Sequence, residues 1–442
     1  MNKFIAKYCF YYPTTLVKGE FIFLFNKFYD RFQRQPKKDQ DAYRLAKLNK
    51  VLLIAKTESD FYKKSLQDVE LPLSSLAEIS QLPLLTKQHL IANKEELKTW
   101  RSFYSSAKTT GGSTGEPVTL LKNPEALARE RAATWRAYSW AGVGVGDRQA
   151  RFWGVPHSKS GAFKARVIDF ISNRKRVSAF NLTESSMLEY YRELQKFQPL
   201  YLYGYVSVIR ALSVFLAAKN LAPITSIKSI ITTSEILTDG ARAEITGYWK
   251  LPIFNEYGCG EVGSIAHECQ QGNMHLMSDN LLVECIDENG KPSDTGEIVV
   301  TDFYNFSTPI IRYKLGDFAT LLHQKCSCGV TLPLISNIHG RAYDLIKTSS
   351  GKSIHPEALI YIFEDLQIKH SGFSQFQIVQ ESLEELTVNI IRTAFWSDNL
   401  ATLIQQTVQQ QISSDINCRF NYVDTIPREK SGKMRVVKSL LR

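Results

Sequence analysis

TTGGSTGEP, residues 109–117, places four hydroxyl side chains and three glycines within nine positions. Glycine lets the main chain come close to an anion, and successive backbone N–H groups form an anion-binding concavity. Thr109, Thr110, Gly111, Gly112, Ser113, Thr114 and Gly115 are therefore candidate phosphate contacts. The stretch is not a Walker loop, because no Lys-Ser/Thr follows its last glycine. Alone it reads as an ordinary polar loop. Its weight comes from six further segments in order: TTSEILTDGAR (232–242), EYGCGE (256–261), RYKLGD (312–317), CSCG (326–329), GRAYD (340–344) and PREKSGK (427–433).

The elements around these segments predict an α/β protein. Residues 1–100 read as mainly helical: apolar residues recur at helical spacing over 41–66, and a helix follows the Pro-bounded turn in 82–97. Helix-like 124–142 and 239–249 alternate with strand-like 227–235 and 251–258, which predicts layered α/β structure. Short alternating strands at 280–287, 296–303 and 318–323 predict a β-rich subdomain over about 265–335. After Asp344 the pattern becomes α+β, with a hairpin over 376–393, a helix over 400–412 and a strand over 418–424. The expected division is 1–340, a hinge at 341–344, and 345–442.

At 442 residues the chain exceeds what one hydrophobic core usually serves. Hydrophobic content of 44% and charged content of 22% suit an ordinary globular protein. No run of about 18 apolar residues occurs, and Lys7, Pro13 and Lys18 interrupt the opening stretch, so neither a spanning helix nor a secretory signal is expected. The default is a cytoplasmic protein.

The net charge of +10 is uneven: residues 1–50 carry eleven Lys/Arg against four Asp/Glu, or +7. The same stretch is rich in Phe and Tyr, so residues 1–40 could make peripheral contact with an anionic membrane. The competing reading is a segment packed on the main domain with its lysines in water. The charge forms no extended basic face with base-reading elements, which argues against nucleic acid.

Seven cysteines in such a chain do not suggest a disulfide framework. Cys269 and His275 lie six apart, and Cys326 and Cys328 flank one residue. Three thiolates and one imidazole suit tetrahedral zinc in a structural role, with His267 the competing imidazole. Cys9, Cys285 and Cys418 read as small buried hydrophobes.

Taken together, the glycine-rich loop, EYGCGE, RYKLGD, GRAYD and the terminal Gly432-Lys433 resemble the adenylate-forming superfamily of acyl-CoA synthetases. The nearest branch is the phenylacetate–CoA ligase group with its relatives associated with capsular polysaccharide synthesis; YGYVSVIRAL (203–212) and the cysteines point to it. The resemblance implies a large N-terminal domain of layered sheets and helices and a small mobile α+β C-terminal lid. It implies ATP, Mg²⁺ and a small carboxylic acid as reactants, with coenzyme A or a carrier-protein thiol, or a sugar amine, as acyl acceptor. Residues 109–117 would grip the β- and γ-phosphates. Ser234 and Glu235 would lie along the adenine, Tyr257 would stack on it beside Gly258, and Glu261 would hold Mg²⁺. Asp317 would bind the ribose hydroxyls, Arg341 the ribose and phosphate, and Lys433 the α-phosphate. The aromatic stretches 151–161 and 201–208 would line the acid site.

Three positions depart from the superfamily pattern. Gly260 stands where Thr or Ser usually precedes Glu261, Val118 where Lys often follows the proline, and Tyr343 where the hinge often has Asp. They keep open the alternative of a degenerate, non-catalytic adenylation fold acting at a membrane surface.

Overall fold

The computed structural model describes residues 1–109, 118–154, 159–179, 182–339, 346–350, 353–354, 356–427 and 434–441. Thr110, Gly111, Gly112, Ser113, Thr114, Gly115, Arg341, Tyr343 and Lys433 lie outside these ranges, as does the expected hinge. The chain divides into two compact units: Met1–Leu315 with Ala319–Asn337, and Gly316–Phe318 with Ile338–Arg442.

In the first unit β1 (Ser106–Thr109) and β2 (Thr119–Lys122) pair antiparallel, Thr109 opposite Thr119, on either side of the glycine-rich sequence. The strands that follow are β3 (Gln149–Trp153), β4 (Arg174–Ser178), β5 (Tyr201–Tyr205), β6 (Ser229–Thr233), β7 (Ile253–Cys259), β8 (Gly263–Glu268) and β9 (Met274–Leu276). Then come β10 (Leu281–Ile286), β11 (Pro292–Ser293), β12 (Thr295–Asp302), β13 (Tyr313–Leu322) and β14 (Leu334–His339). From β3 onward they form one sheet in the order 11-10-12-13-14-9-8-7-6-5-3-4.

Strands β4, β3, β5, β6 and β7 run parallel. Helices Lys159–Ile171, Glu184–Phe197, Val206–Ala218 and Asp239–Trp249 supply the crossovers that parallel strands require. Both faces are therefore covered, and the two-residue period sorts the side chains. Ala150, Phe152, Leu202 and Ile230 pack with Leu212, Ile245 and Trp249 of the crossover helices. Tyr201, Tyr203, Ile231 and Phe254 face the other way, against Tyr138 of helix Pro124–Trp140 and the following Ala141 and Val143.

At β7 the pattern changes. A turn at 260–262 replaces the crossover helix, and β8 returns antiparallel. The strands read as a β-rich subdomain over about 265–335 lie in this region. The β7–β8 hairpin carries the hydrogen-bond ladder straight through, so they extend the same sheet.

The helical lead-in is locked to this sheet by Arg312, the first residue of RYKLGD. Its side chain is 2% exposed. Nη1 donates to the carbonyl oxygens of Ser80 (2.8 Å) and Leu82 (2.7 Å), while Nε and Nη2 donate to Glu284 on β10 at 3.2 and 3.0 Å. Its backbone N–H reaches Thr301 Oγ1 at 2.9 Å, and its carbonyl accepts from Leu85 N–H at 2.9 Å. The φ of +49° is unfavourable for a side chain of this size and is held by these five partners.

The second unit carries a four-stranded sheet ordered Asn417–Tyr422, Glu385–Arg392, Phe373–Gln380, Val437–Ser439. The central pair is the antiparallel hairpin read from the sequence, and both outer pairs are parallel. Helices Pro356–His370 and Asp398–Gln411 bury Leu359, Phe363, Leu400, Ile404 and Val408.

Replacing Arg312 by alanine strands the Glu284 carboxylate in the interior and should cost about 3–5 kcal/mol. The expected readout is a lower urea midpoint, and Arg312→Met with Glu284→Leu should recover much of the loss. An Arg312→Ala midpoint equal to the parent's would contradict this role.

Candidate functional site

In the first unit the candidate residues Ser234, Glu235 and Glu261 lie at the carboxyl ends of β6 and β7, where a sheet of this kind presents its loops to ligands. EYGCGE occupies the end of β7 and the turn after it. A register shift between Tyr257 and Gly258 twists the hairpin there. A Cβ at Gly258 would fall 2.4 Å from the carbonyl oxygen of Gly263, so only glycine lets the strands approach this closely. Tyr257 is half-buried. Glu261 is 8% exposed; its hydrogen-bond partner among the described residues is the Tyr313 hydroxyl at 3.5 Å, and no described cation pairs with it. A buried carboxylate without a counter-charge suits a hard metal ion.

Strand β6 runs beside β7, with Thr233 opposite Glu256, so Ser234 and Glu235 emerge next to EYGCGE. Ser234 has φ +67°, a left-handed conformation rare for a non-glycine residue. The Glu235 carboxylate is engaged: Ser207 N–H and Oγ donate to it at 2.7 and 3.0 Å. It thereby satisfies an amide in the first turn of helix Val206–Ala218. Asp317 lies within β13, and Thr109 ends β1.

The two aromatic stretches read as lining the acid site come together on adjacent strands. The Trp153 ring on β3 stacks on Tyr205 of β5 at 4.4 Å and on Tyr203 at 5.9 Å. The Arg151 guanidinium sits 4.7 Å from the Trp153 ring centre and 4.9 Å from that of Tyr203, and its Nε has no hydrogen-bond partner among the described residues. Beside them is a group to which the sequence reading gave no role, Glu256. Tyr138 Oη donates to its Oε2 at 2.6 Å. Burial pushes the Glu256 carboxyl up to about 7, against the opposing pull of Tyr138 and Arg151. His267 contacts Tyr138 edge-on and bonds to Ser264; burial, with Arg136 nearby, brings it down to about 3. Glu256 sits inside a quoted motif, and a charged residue amid buried aromatics was the available signal.

A second centre lies at the other end of β8. Cys269, His275, Cys326 and Cys328 place one ligand atom each within 4.8 Å of all the others. Cys269 Sγ is 3.7 Å from Cys326 Sγ, and Cys328 Sγ is 3.3 Å from His275 Nε2. His275 Nδ1 donates to the Leu332 carbonyl at 3.1 Å, which turns the lone pair of Nε2 toward the thiols. Burial lowers the His275 pKa and so favours the neutral ligand form. Asn273 Nδ2 donates to Cys326 Sγ (3.3 Å) and Val330 N–H to Cys328 Sγ (3.4 Å). This is the set read from the sequence; His267, the rival imidazole, lies outside it. Of the other cysteines Cys285 is buried as expected. Cys418 is only half-buried and Cys9 is exposed, on the solvent side of an N-terminal helical turn.

The comparisons with known proteins agree with this architecture. A family model described as the CapK C-terminal domain matches residues 346–440. Protein CapK of Staphylococcus aureus is 24% identical over 420 residues, covering 92% of this chain and 88% of that protein. Phenylacetate-coenzyme A ligase of Thermus thermophilus is 27% identical over 140 residues, 30% of this chain and 31% of that one. Among solved structures, 2-hydroxyisobutyryl-CoA ligase in the postadenylation state, in complex with R3-HIB-AMP, superposes with TM-score 0.75 at 19% identity. That match covers 92% of this chain and 91% of the other. The fold is therefore that of the adenylate-forming acyl-CoA ligases. The chain itself is a homologue of Protein CapK and, over a shorter stretch, of phenylacetate-coenzyme A ligase.

The raised Glu256 carboxyl generates a pH dependence. Between about 4.5 and about 7 the unfolded chain releases a proton that the folded chain keeps. Stability from this group therefore falls as pH rises through that window and stays low above it. Glu256→Gln, which still accepts from Tyr138, should gain roughly 2 kcal/mol at pH 8. Thermal melts across pH should show the gain vanishing below about pH 4.5. A gain independent of pH would rule out this cause.

Proposed function

We propose that this chain is an AMP-forming acid–thiol ligase. It activates a carboxylic acid with ATP as an acyl adenylate and passes the acyl group to coenzyme A. The observation that supports this most is the β7–β8 turn. It holds Glu261, buried and without a described counter-cation, next to Tyr257, in a fold whose solved neighbour carries an acyl-AMP.

In this reading a carboxylate oxygen attacks the α-phosphorus in line and pyrophosphate leaves. All reactants are anionic, so the protein must position donors and cations where charge accumulates. Residues 109–115 offer amides and hydroxyls to the β- and γ-phosphates. Tyr257 and Gly258 lie against the adenine, with Ser234 and the main chain of Glu235 along its edge, since the Glu235 carboxylate is committed to Ser207. Asp317 and Arg341 take the ribose, and Lys433 the α-phosphate. Magnesium held by Glu261 would offset phosphate charge. After adenylation, the second unit would turn about 341–344 to withdraw Lys433 and admit the thiol. Arg151, Trp153, Tyr203 and Glu256 favour an apolar or aryl acid bearing a hydrogen-bonding substituent. Coenzyme A stands first as acceptor because the same solved ligase is also known in complex with 2-HIB-AMP and CoA in the thioesterification state. The likeness to CapK supports a place in capsular polysaccharide synthesis.

Cys269, His275, Cys326 and Cys328 would hold zinc in a structural role, because four protein ligands leave no open position for substrate. Zinc analysis of the purified chain should give one metal ion per chain. Cys326→Ser should lose it and melt at a lower temperature, and a parent chain free of zinc would refute the assignment.

Pyrophosphate exchange into ATP, screened over aryl, fatty and amino acids with Mg²⁺, should show acid-dependent exchange. Lys433→Ala should lower it at least about 100-fold, while still converting supplied acyl adenylate and thiol to thioester. Absence of exchange with every acid would instead favour the non-catalytic reading that Gly260 and Tyr343 keep open.

A further inference from the structure

Residues 1–31 are built into the first unit on one side only. Tyr11, Tyr12, Ile22 and Tyr29 pack against Ala132, Ala133 and Trp140 of helix Pro124–Trp140. The opening turn is also held firmly. Lys3 pairs with Asp147 at 2.7 Å, and Asn173 Nδ2 donates to the Met1 carbonyl at 3.1 Å. Gly146 has φ +89°, and a Cβ there would lie 2.4 Å from the Lys3 carbonyl oxygen. The segment is a mounted part of the fold.

Its outer side is apolar. Phe4 (65% exposed), Ile5, Tyr8, Val17 (90%), Phe21 and Leu24 (60%) face water. Helix Lys159–Ile171 lies alongside, with Phe10 and Phe170 in edge contact at 5.2 Å. It adds Phe163 (70%), Val167 and Phe170 to the same exposed surface. Crossover helices of α/β proteins ordinarily turn polar residues outward, so an apolar patch spanning two elements marks an interaction surface.

The charge of this surface identifies what it meets. Residues 1–31 and 159–171 contain three acidic residues. Glu20 is buried against Arg131, and Asp169 is buried between Arg174 and Arg176. Only Asp30 reaches water. The cations behave in the opposite way. Lys18, Lys27, Lys164 and Arg166 are exposed and have no acidic partner among the described residues, and Lys7 lies over the Tyr8 ring at 5.0 Å. Apolar side chains ringed by unneutralised cations match the boundary of an anionic bilayer. There aromatic side chains sit at headgroup level and each cation near the surface adds attraction.

We propose that the face formed by residues 1–31 and helix Lys159–Ile171 docks on an anionic lipid surface. Phe4, Val17, Leu24 and Phe163 enter the headgroup boundary while Lys18, Lys164 and Arg166 meet lipid phosphate. Among the described residues no helix is long and apolar enough to cross a membrane, so the contact is peripheral. The helix follows β3, which carries Arg151 and Trp153, so the lipid face and the aromatic site share one strand–helix connection. The proposal is independent of any activity.

The test uses the full chain, sedimented with vesicles containing phosphatidylglycerol and with matched vesicles of phosphatidylcholine alone. Binding is expected to the former, weakening with added salt. The triple change Phe4→Ser, Leu24→Ser, Phe163→Ser should lower partitioning at least about tenfold while leaving the melting temperature in place. Lys164→Glu with Arg166→Glu should abolish the preference for anionic lipid. Hydrogen exchange on the unaltered chain supplies a mutation-free check, since vesicles should protect 1–31 and 159–171. Equal binding to both vesicle types, full binding by the triple variant, or no protection of these segments would overturn the proposal. So would a concentration-dependent dimer that the triple change dissolves, which would assign the face to a second copy of this chain.

Discussion

A guanidinium buried in a protein interior has to be fully satisfied, and the way Arg312 is satisfied joins the first unit together. Two carbonyls come from the lead-in, at Ser80 and Leu82, and a carboxylate comes from Glu284 on the sheet. The lead-in cannot move without stripping hydrogen bonds from a charge, and leaving such a charge unpaired costs several kcal/mol. The same residue immediately precedes β13, and pairing of Leu85 with Tyr313 extends the tie by one bridge. The start of RYKLGD is thus a mechanical anchor of the first unit.

The thiol–imidazole centre acts in a similar way on another seam. Its ligands come from the end of β8, from β9 and from the connection between β13 and β14. That connection also receives the N-terminal helices: Thr331 N–H donates to the Gln33 carbonyl at 2.8 Å, and Gln40 Nε2 donates to Thr331 Oγ1 at 2.8 Å. Trp140 Nε1 reaches Gln33 Oε1 at 3.0 Å, and its ring meets His275 edge-on at 5.4 Å. A metal holding the four ligands would stiffen a loop on which the N-terminal segment rests. The exposed apolar face on that segment's other side is then presented by a fixed support.

Much of this was legible in the sequence because the signals were local. Helices at 37–58, 124–140 and 239–249, the hairpin of the second unit and the metal-type donor set follow from spacing and residue type. What was not legible depends on partners far along the chain. That the β-rich strands after β7 continue the sheet of the parallel strands was not readable, because nothing in a hairpin's sequence says which sheet it extends. Cys9 read as a buried hydrophobe because apolar neighbours do not reveal which side of a helix faces the core. Glu235 read only as a nucleotide contact, since capping of a helix that starts near residue 206 needs the register of β5 against β6.

Three carboxylates show how far neighbours decide the chemistry. Glu235 follows the end of β6, Glu256 lies on β7 and Glu261 in the turn after it, within one small region of the sheet. The first accepts an amide and a hydroxyl at a helix N-terminus, an arrangement that commits both oxygens. The second accepts one phenol while held among aromatic rings, so burial outweighs the hydrogen bond and its proton is retained toward neutrality. Among the described residues the third has a long contact to Tyr313 and no paired cation. A buried carboxylate with so little compensation among the described residues suits an external cation. Under the proposed function, phosphates beside Glu261 would call for a cation, whereas a pocket for the body of an acid would be served by a carboxyl that can be neutral, as at Glu256. The positions of these two residues, one in the turn and one on the strand, fit that division of labour.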